Sequence, residues 1–255
     1  MQALRVEGLS KQFGGLYAVN NVSFSINVGE RLAIIGPNGA GKTTLFNLIN
    51  GQLMPSSGRI FFFGKDITDL PTHRRAHLGQ ARAFQLISLL LNLSIFENTL
   101  LSLYGTTPYR FRMFAPVEGF TDVRHRANAV LKGLGLWEKR DELVKNLGYG
   151  DQRRLEIGLG LAQRPKLLLL DEPSAGLSME ECSEAIEIIN NLGEGITAVI
   201  VDHDMDLVFG VAERIIVLHY GQVIADGQPQ EIKTDPRVQE IYLGIEDSID
   251  CVKAD

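Results

Sequence analysis

Four consecutive apolar residues, Leu32-Ala33-Ile34-Ile35, run without interruption into Gly36-Pro37-Asn38-Gly39-Ala40-Gly41-Lys42-Thr43-Thr44. Few junctions restrict a chain more. An alternating strand can sit on any sheet with one wet face, whereas an unbroken apolar strand is buried on both faces, as in a parallel sheet covered by helices. Glycine then permits a tight turn whose backbone N–H groups converge, and the spacing of residues 43–49 is that of a helix starting directly behind it. Strand, G-x-x-x-x-G-K-[ST] loop and helix in this order form an anion site suited to nucleotide phosphates, because loop amides and the helix N-terminus add their dipoles. Gly36, Asn38, Gly39, Ala40, Gly41, Lys42, Thr43 and Thr44 are therefore the expected ATP contacts. Lys42 is expected to neutralise the β- and γ-phosphates and the Thr43 hydroxyl to ligate Mg²⁺.

Two later strands end in the polar residues such a site needs. Leu167-Leu168-Leu169-Leu170 leads into Asp171-Glu172, which puts two carboxylates at the carboxyl end of a buried strand, the edge where α/β sheets bind ligands. Asp171 is expected to be the second Mg²⁺ partner, directly or through water, and Glu172 to orient or deprotonate the attacking water. One βαβ step later, the strand over 196–201 delivers Asp202 and His203 to the same edge. A histidine there is placed to hydrogen-bond the γ-phosphate; His73, His77, His125 and His219 lack such placement and receive no role.

The remaining pattern is α/β with one long helical interruption. Residues 4–9, 22–28 and 60–63 read as strands, the second alternating Val22, Phe24, Ile26 and Val28 with polar neighbours. A helical zone follows over about 86–160, with helical spacing at 123–134 and 138–144 and an irregular stretch at 104–120 broken by Pro108, Pro116 and Gly119. A helix over 178–192 and a hairpin of 214–218 with 222–225 complete the core, ahead of an acidic end that reads as a loose tail. Hydrophobic residues make up 45% of the 255-residue chain, enough for a sizeable core. A net charge of −6 gives no basic face for nucleic acid. Cys182 and Cys251 have no metal-type neighbours and read as free thiols. No stretch reaches the roughly 18 apolar residues of a membrane helix, and Arg5 and Glu7 sit where a signal peptide would be apolar. A cytoplasmic protein is expected, with any membrane role carried by a partner.

Over nearly all of residues 3–243 the sequence resembles the ATP-binding-cassette (ABC) transporter ATPases. The glycine loop resembles their Walker A motif, residues 167–172 their Walker B, Ser174-Ala175-Gly176-Leu177 the D-loop and His203 the switch histidine. By the same resemblance Gln85, in Ala83-Phe84-Gln85, is the glutamine that touches Mg²⁺ or water and couples to the membrane partner, and Phe13 is the aromatic that stacks on adenine. The Leu-Ser-Gly-Gly-Gln signature stands here as Leu147-Gly148-Tyr149-Gly150-Asp151. The resemblance implies that Gly148 and Gly150 face the γ-phosphate held by a second subunit. The change to Gly148 removes a hydroxyl donor, and Asp151 adds an anion that favours a helix start but opposes phosphate.

Tyr149-Gly150-Asp151-Gln152-Arg153-Arg154-Leu155-Glu156, Phe13 to Leu16 and the run from Val238 to Gly244 are similar to the ATPases of branched-chain amino-acid importers, although Gly158-Leu159-Gly160 stands where the family often has Ala-Arg-Ala. The resemblance implies a P-loop cassette with an N-terminal antiparallel sheet. Residues 1–85 and 161–243 would form the ATP-binding core, 86–160 a helical subdomain, and 244–255 the tail. It further implies head-to-tail pairing with an identical or related ATPase, separate permease subunits, a solute-binding protein, and a place on the cytoplasmic face of the membrane. Tyr109, Phe111 and Phe114, interleaved with Arg110 and Arg112, either line the permease dock or cap the helical zone. Lipopolysaccharide or lipid exporters use a similar cassette. A soluble ABC protein acting on ribosomes or DNA would want tandem cassettes or a long coiled-coil insertion, and a GTPase an Asn-Lys-x-Asp motif; none is present. A small-molecule kinase would leave Gln85, Asp171, Glu172 and His203 unexplained as a set.

Overall fold

The computed structural model describes residues 1–83, 89–105, 121–193 and 195–241. Gln85, the aromatic and arginine residues of 109–114, Cys251 and the acidic end lie outside them.

β1 (Gln2–Phe13) and β2 (Leu16–Asn27) form a long antiparallel hairpin, joined by β4 (Ser57–Phe62) and β5 (Lys65–Asp66) in the order β2-β1-β4-β5. The second sheet is ordered β10-β9-β3-β8-β7-β6, from β3 (Arg31–Ile35), β6 (Gln80–Ala83), β7 (Leu167–Asp171), β8 (Thr197–Val201), β9 (Arg214–His219) and β10 (Gln222–Gly227). Its neighbours are parallel except β10, which returns antiparallel to β9. The fold is thus α/β with an added antiparallel sheet.

The unbroken apolar strands are explained by two coats. Leu32, Ile34, Leu167, Leu169, Val199 and Val201 pack with Leu45, Phe46, Leu48 and Ile49 of α1 (Lys42–Asn50) and with the inner face of the first sheet. The alternate residues Leu168, Leu170, Ala198 and Ile200 pack with Ile157 of α5 (Tyr149–Ala162), Cys182 and Ile189 of α6 (Met179–Asn190) and Leu207 of α7 (Met205–Val211). Ala33 and Ile35 meet Ile232 of α8 (Pro229–Thr234). Each strand residue therefore loses water on its own side, worth about 1.5–3 kcal/mol for a fully buried aliphatic side chain. Between β5 and β6, α2 (Thr72–His77) carries Arg75, which is 1% exposed and donates to the carbonyls of Leu48, Ile49, Thr68 and Leu70 at 2.7–3.0 Å. It caps the C-terminal end of α1 from the side. Burial lowers its pKa to about 10, so it stays charged at neutral pH.

α3 (Ile95–Gly105), α4 (Thr121–Gly133) and α5 pack together around Ile95, Leu131, Leu134, Leu147 and Leu155, with a second cluster at Leu100, Leu103, Val123 and Ala127. Two sequence expectations fail locally. Residues 138–144 are not a helix: 3-10 turns at Trp137–Lys139 and Val144–Asn146 flank a bend. The Arg140 and Glu142 carbonyls accept the N–H groups of Phe96 (2.9 Å) and Ile95 (3.0 Å) instead of continuing a helical ladder. The second strand stops at Asn27, leaving Val28 38% exposed beside the Gly29 turn, and its partner β1 is twice as long as its apolar run implied. Cys182 is a free, buried thiol, as expected. No helix among the described residues is long and apolar enough to cross a membrane.

Candidate functional site

The glycine loop bridges β3 and α1 at the carboxyl edge of the parallel sheet. Two of its glycines are required by close backbone approach. A Cβ on Gly36 would lie 2.1 Å from the Leu218 carbonyl oxygen, and one on Gly41, at φ +102°, 2.2 Å from that of Ala18. Asn38, Gly39 and Thr43 are exposed, Ala40 is buried and Thr44 half-buried. Gly41 offers α1 no side-chain cap, and the first turn holds no acidic residue. The helix start is therefore electrostatically uncompensated, as an anion site requires. Lys42 Nζ reaches the carbonyls of Gly36 (2.6 Å) and Pro37 (3.0 Å). Its pKa is lowered by desolvation, which the nearby Glu172 carboxylate opposes. Loop lysine and Glu172 thus share one electrostatic neighbourhood.

Asp171 ends β7 fully buried, paired with Arg82 of β6 at 2.6 Å. Arg82 also donates to Asn47 (2.9 Å) and Gln52. Glu172 follows in a left-handed backbone, φ +48°, its N–H tied to the Val201 carbonyl at 2.7 Å. Asp202 is buried and accepts from the Ser174 hydroxyl (2.6 Å) and the N–H groups of Ser174 (2.9 Å), His203 (2.7 Å) and Asp204 (3.0 Å). One carboxylate thereby fixes the stretch after Glu172 against the loop that presents His203, whose side chain is 67% exposed. Phe13 sits beside the β1–β2 turn, half exposed, with Lys11 Nζ 5.2 Å from its ring centroid. An exposed aromatic at a hairpin end is free to stack.

Gly148 is the N-cap of α5 and is exposed, so its backbone is open to solvent. Gly150 differs: it is buried, and a Cβ there would meet Glu181 Oε1 at 2.1 Å. Within the free chain the two signature glycines are not equivalent. Asp151 is neutralised by Lys139 at 2.5 Å and Arg154 at 2.7 Å.

The set fits a Mg-nucleotide. Among the described residues no three His, Cys, Asp or Glu side chains cluster as a protein-only metal cage. Magnesium needs only one or two protein oxygens when phosphates complete its shell, and Thr43 and Asp171 offer that chemistry. Sequence reasoning did not single out Arg82, Arg153, Asp202 or Glu181 as working residues. Asp202 was legible as the end of a β-strand run; the others work through contacts no spacing reveals.

Residues 19–175 match the ABC transporter family. The chain belongs to that family. A second match, to the branched-chain amino acid ATP-binding cassette transporter family, covers residues 222–248. This ABC ATPase is 39% identical over 248 residues, 94% of this chain and 97% of the relative, to the high-affinity branched-chain amino acid transport ATP-binding protein LivG of Salmonella typhimurium. It is 37% identical over 244 residues, 95% of this chain and 97% of the other, to the lipopolysaccharide export system ATP-binding protein LptB of Acidithiobacillus ferridurans. An ABC transporter cassette solved in its ADP conformation superposes with TM-score 0.85 at 33% identity, covering 96% of this chain and 99% of that one. A cassette dimer bound to ADP and phosphate after hydrolysis gives TM-score 0.75 at 27% identity, over 89% and 98%. The cassette is homologous to the importer ATPases for branched-chain amino acids.

Proposed function

We propose that this cassette powers uptake of branched-chain amino acids or related small polar solutes through separate permease subunits, fed by a solute-binding protein, at the cytoplasmic face of the membrane. The observation that favours the importer over the exporter reading is the match of residues 222–248 to the branched-chain family, since full-length identity alone differs little between the two relatives. Nucleic acid has no part in this reading.

In the proposed cycle Phe13 stacks on adenine. The amides of the loop from Gly36 to Thr44 and the Lys42 ammonium hold the phosphates, Lys42 giving up its contacts with the Gly36 and Pro37 carbonyls. Thr43, Asp171 and Gln85 would hold Mg²⁺, directly or through water, and the ion would neutralise charge on the β- and γ-phosphates. Glu172 takes a proton from the attacking water, and His203 hydrogen-bonds the γ-phosphate. Gly148, with Gly150, presents the start of α5 to the γ-phosphate of a second, identical or related subunit, so each site is shared. Residues 86–160 act as the helical subdomain that follows the permease, and 1–85 with 161–243 as the core.

Glu172→Gln separates composite-site action from a single-chain ATPase. It is expected to abolish hydrolysis and to trap an ATP-dependent dimer visible by light scattering. A variant that stays monomeric with saturating Mg-ATP overturns the shared site. Purification with native membrane partners, then ATP-driven uptake of labelled leucine into vesicles, tests the solute. Extraction of lipopolysaccharide without leucine uptake would instead select the exporter.

A further inference from the structure

The buried pair Arg153–Glu156 lies inside the first turns of the signature helix, at 4% and 3% side-chain exposure and 2.7 Å apart. Beyond this pair, the rest of the Arg153 guanidinium reaches out of α5. Arg153 Nη2 donates to the carbonyls of Asp171 (3.1 Å) and Glu172, and Nε to that of Pro173 (3.3 Å). Three consecutive carbonyls, the last of β7 and the two that follow it, are thus gathered by one side chain, while Nη1 is held by Glu156. Such an arrangement needs a planar fork, which lysine lacks. The middle carbonyl belongs to Glu172, the residue at φ +48°, and a non-glycine residue keeps that backbone only where its surroundings over-determine it. Here they do: the amide of Glu172 is tied to Val201 of β8, and its carbonyl to Arg153 and to the Ala175 N–H at 3.1 Å.

We propose that Arg153 is a positioning residue for Glu172, fixing from the signature helix the backbone that aims the carboxylate at the phosphate site. The inference rests on Glu172 acting as the base. It makes hydrolysis sensitive to the seat of α5 within the same chain, in addition to any effect of α5 on a partner's site. Other contacts hold the start of α5 in place without Arg153. The Tyr149 ring lies where a Cβ on Gly176 would be 2.9 Å away, and Gly150 packs so closely on Glu181 that a Cβ there would meet its Oε1 at 2.1 Å. Variants at Arg153 therefore report on Glu172 more than on attachment of the helix.

The test compares the isolated full-length chain with Arg153→Met/Glu156→Leu, which replaces the buried pair by apolar side chains of similar volume, and with Arg153→Lys. Measured are kcat and KM for Mg-ATP, the Kd of a fluorescent ATP analogue, and the melting temperature. The double variant is expected to melt within a few degrees of wild type and bind the analogue within about two-fold, while kcat falls at least about ten-fold. Arg153→Lys is expected to fall about three- to ten-fold in kcat at unchanged Kd, and carries the test alone if the double variant does not fold. Retention of kcat within two-fold in a folded variant overturns the proposal. So does a Kd that worsens in step with kcat, since that marks a general structural or binding role. Turnover lost in Glu172→Gln but kept in the Arg153 variants refutes this inference alone. Wild-type turnover unaffected by Glu172→Gln refutes the underlying reading of the site.

Discussion

Gly158 and Gly160 both interrupt α5, and each would ordinarily cost about 0.5–1 kcal/mol relative to alanine in a helix interior. Their surroundings separate them. A Cβ on Gly158 would lie 2.2 Å from Leu134 Cδ1 and 2.9 Å from its Cγ, so the glycine is the seat of a core leucine. At Gly160 the nearest atom is Leu168 Cδ1 at 3.3 Å, the movable end of one side chain. Overpacking costs typically about 1–3 kcal/mol, which exceeds the propensity gain at Gly158 but not at Gly160. Gly158→Ala is therefore expected to lower stability by about 1 kcal/mol and Gly160→Ala to raise it by roughly 0.5 kcal/mol. Urea unfolding midpoints moving in the same direction would refute the distinction. The departure from Ala-Arg-Ala is thus, at its first glycine, a packing solution.

At the scale of the element, the start of α5 is where this cassette differs most from its family's signature. Asp151 does not present a bare negative charge, because Lys139 and Arg154 enclose it and Arg154 also reaches Glu184 at 3.3 Å. What is missing is a side-chain donor at Gly148, the uncapped N-cap. Gly148→Ser is expected to raise monomer stability by only a few tenths of a kcal/mol, since glycine is itself a tolerable N-cap. Its effect on the dimer is expected to be larger. A hydrogen bond to a charged phosphate contributes about 1.5–3 kcal/mol, so in the Glu172→Gln background the ATP-dependent dimer should tighten at least about ten-fold. Sedimentation at several protein concentrations measures this. An unchanged dimer affinity would place Gly148 away from the partner's nucleotide.

On the scale of the whole molecule, the two sheets meet the glycine loop at the turn between β9 and β10. Gly221 donates its N–H to the Ala40 carbonyl (2.9 Å) and accepts from the Asn20 N–H (2.8 Å), so one residue joins the hairpin sheet, the loop and the parallel sheet. It has φ +74°, and a Cβ there would lie 2.9 Å from the Ala18 carbonyl oxygen. Gly221→Ala adds a left-handed penalty of about 1–2 kcal/mol and pushes these segments apart. Loss of about 2 kcal/mol in stability is expected, with ATP binding weakened several-fold because the loop shifts with its anchor. Calorimetry of the folded variant checks both; loss of stability with unchanged ATP affinity would show that the junction does not set the loop.

The linear chain was enough for the strand–loop–helix at Ile35 to Thr44, for Asp171, Glu172 and His203 on one sheet edge, and for the α/β class, because period, glycine spacing and an unbroken apolar run are local properties. It misread 138–144, whose carbonyls are claimed by the start of α3, and passed over β6, whose four residues owe their state to pairing with β7. It was equally silent on which charges work in pairs. Arg82 on Asp171, Arg153 beneath Glu172 and Glu181 on Gly150 are partners 89, 19 and 31 positions apart, brought together only by packing. The glycine loop, legible from its letters as a strand–turn–helix junction, owes its shape to carbonyls of Ala18 and Leu218 that approach from far along the chain. Short-range sterics and hydrophobic period are written residue by residue. Desolvated charge pairs and backbone-to-backbone approach exist only once distant segments have excluded the water between them.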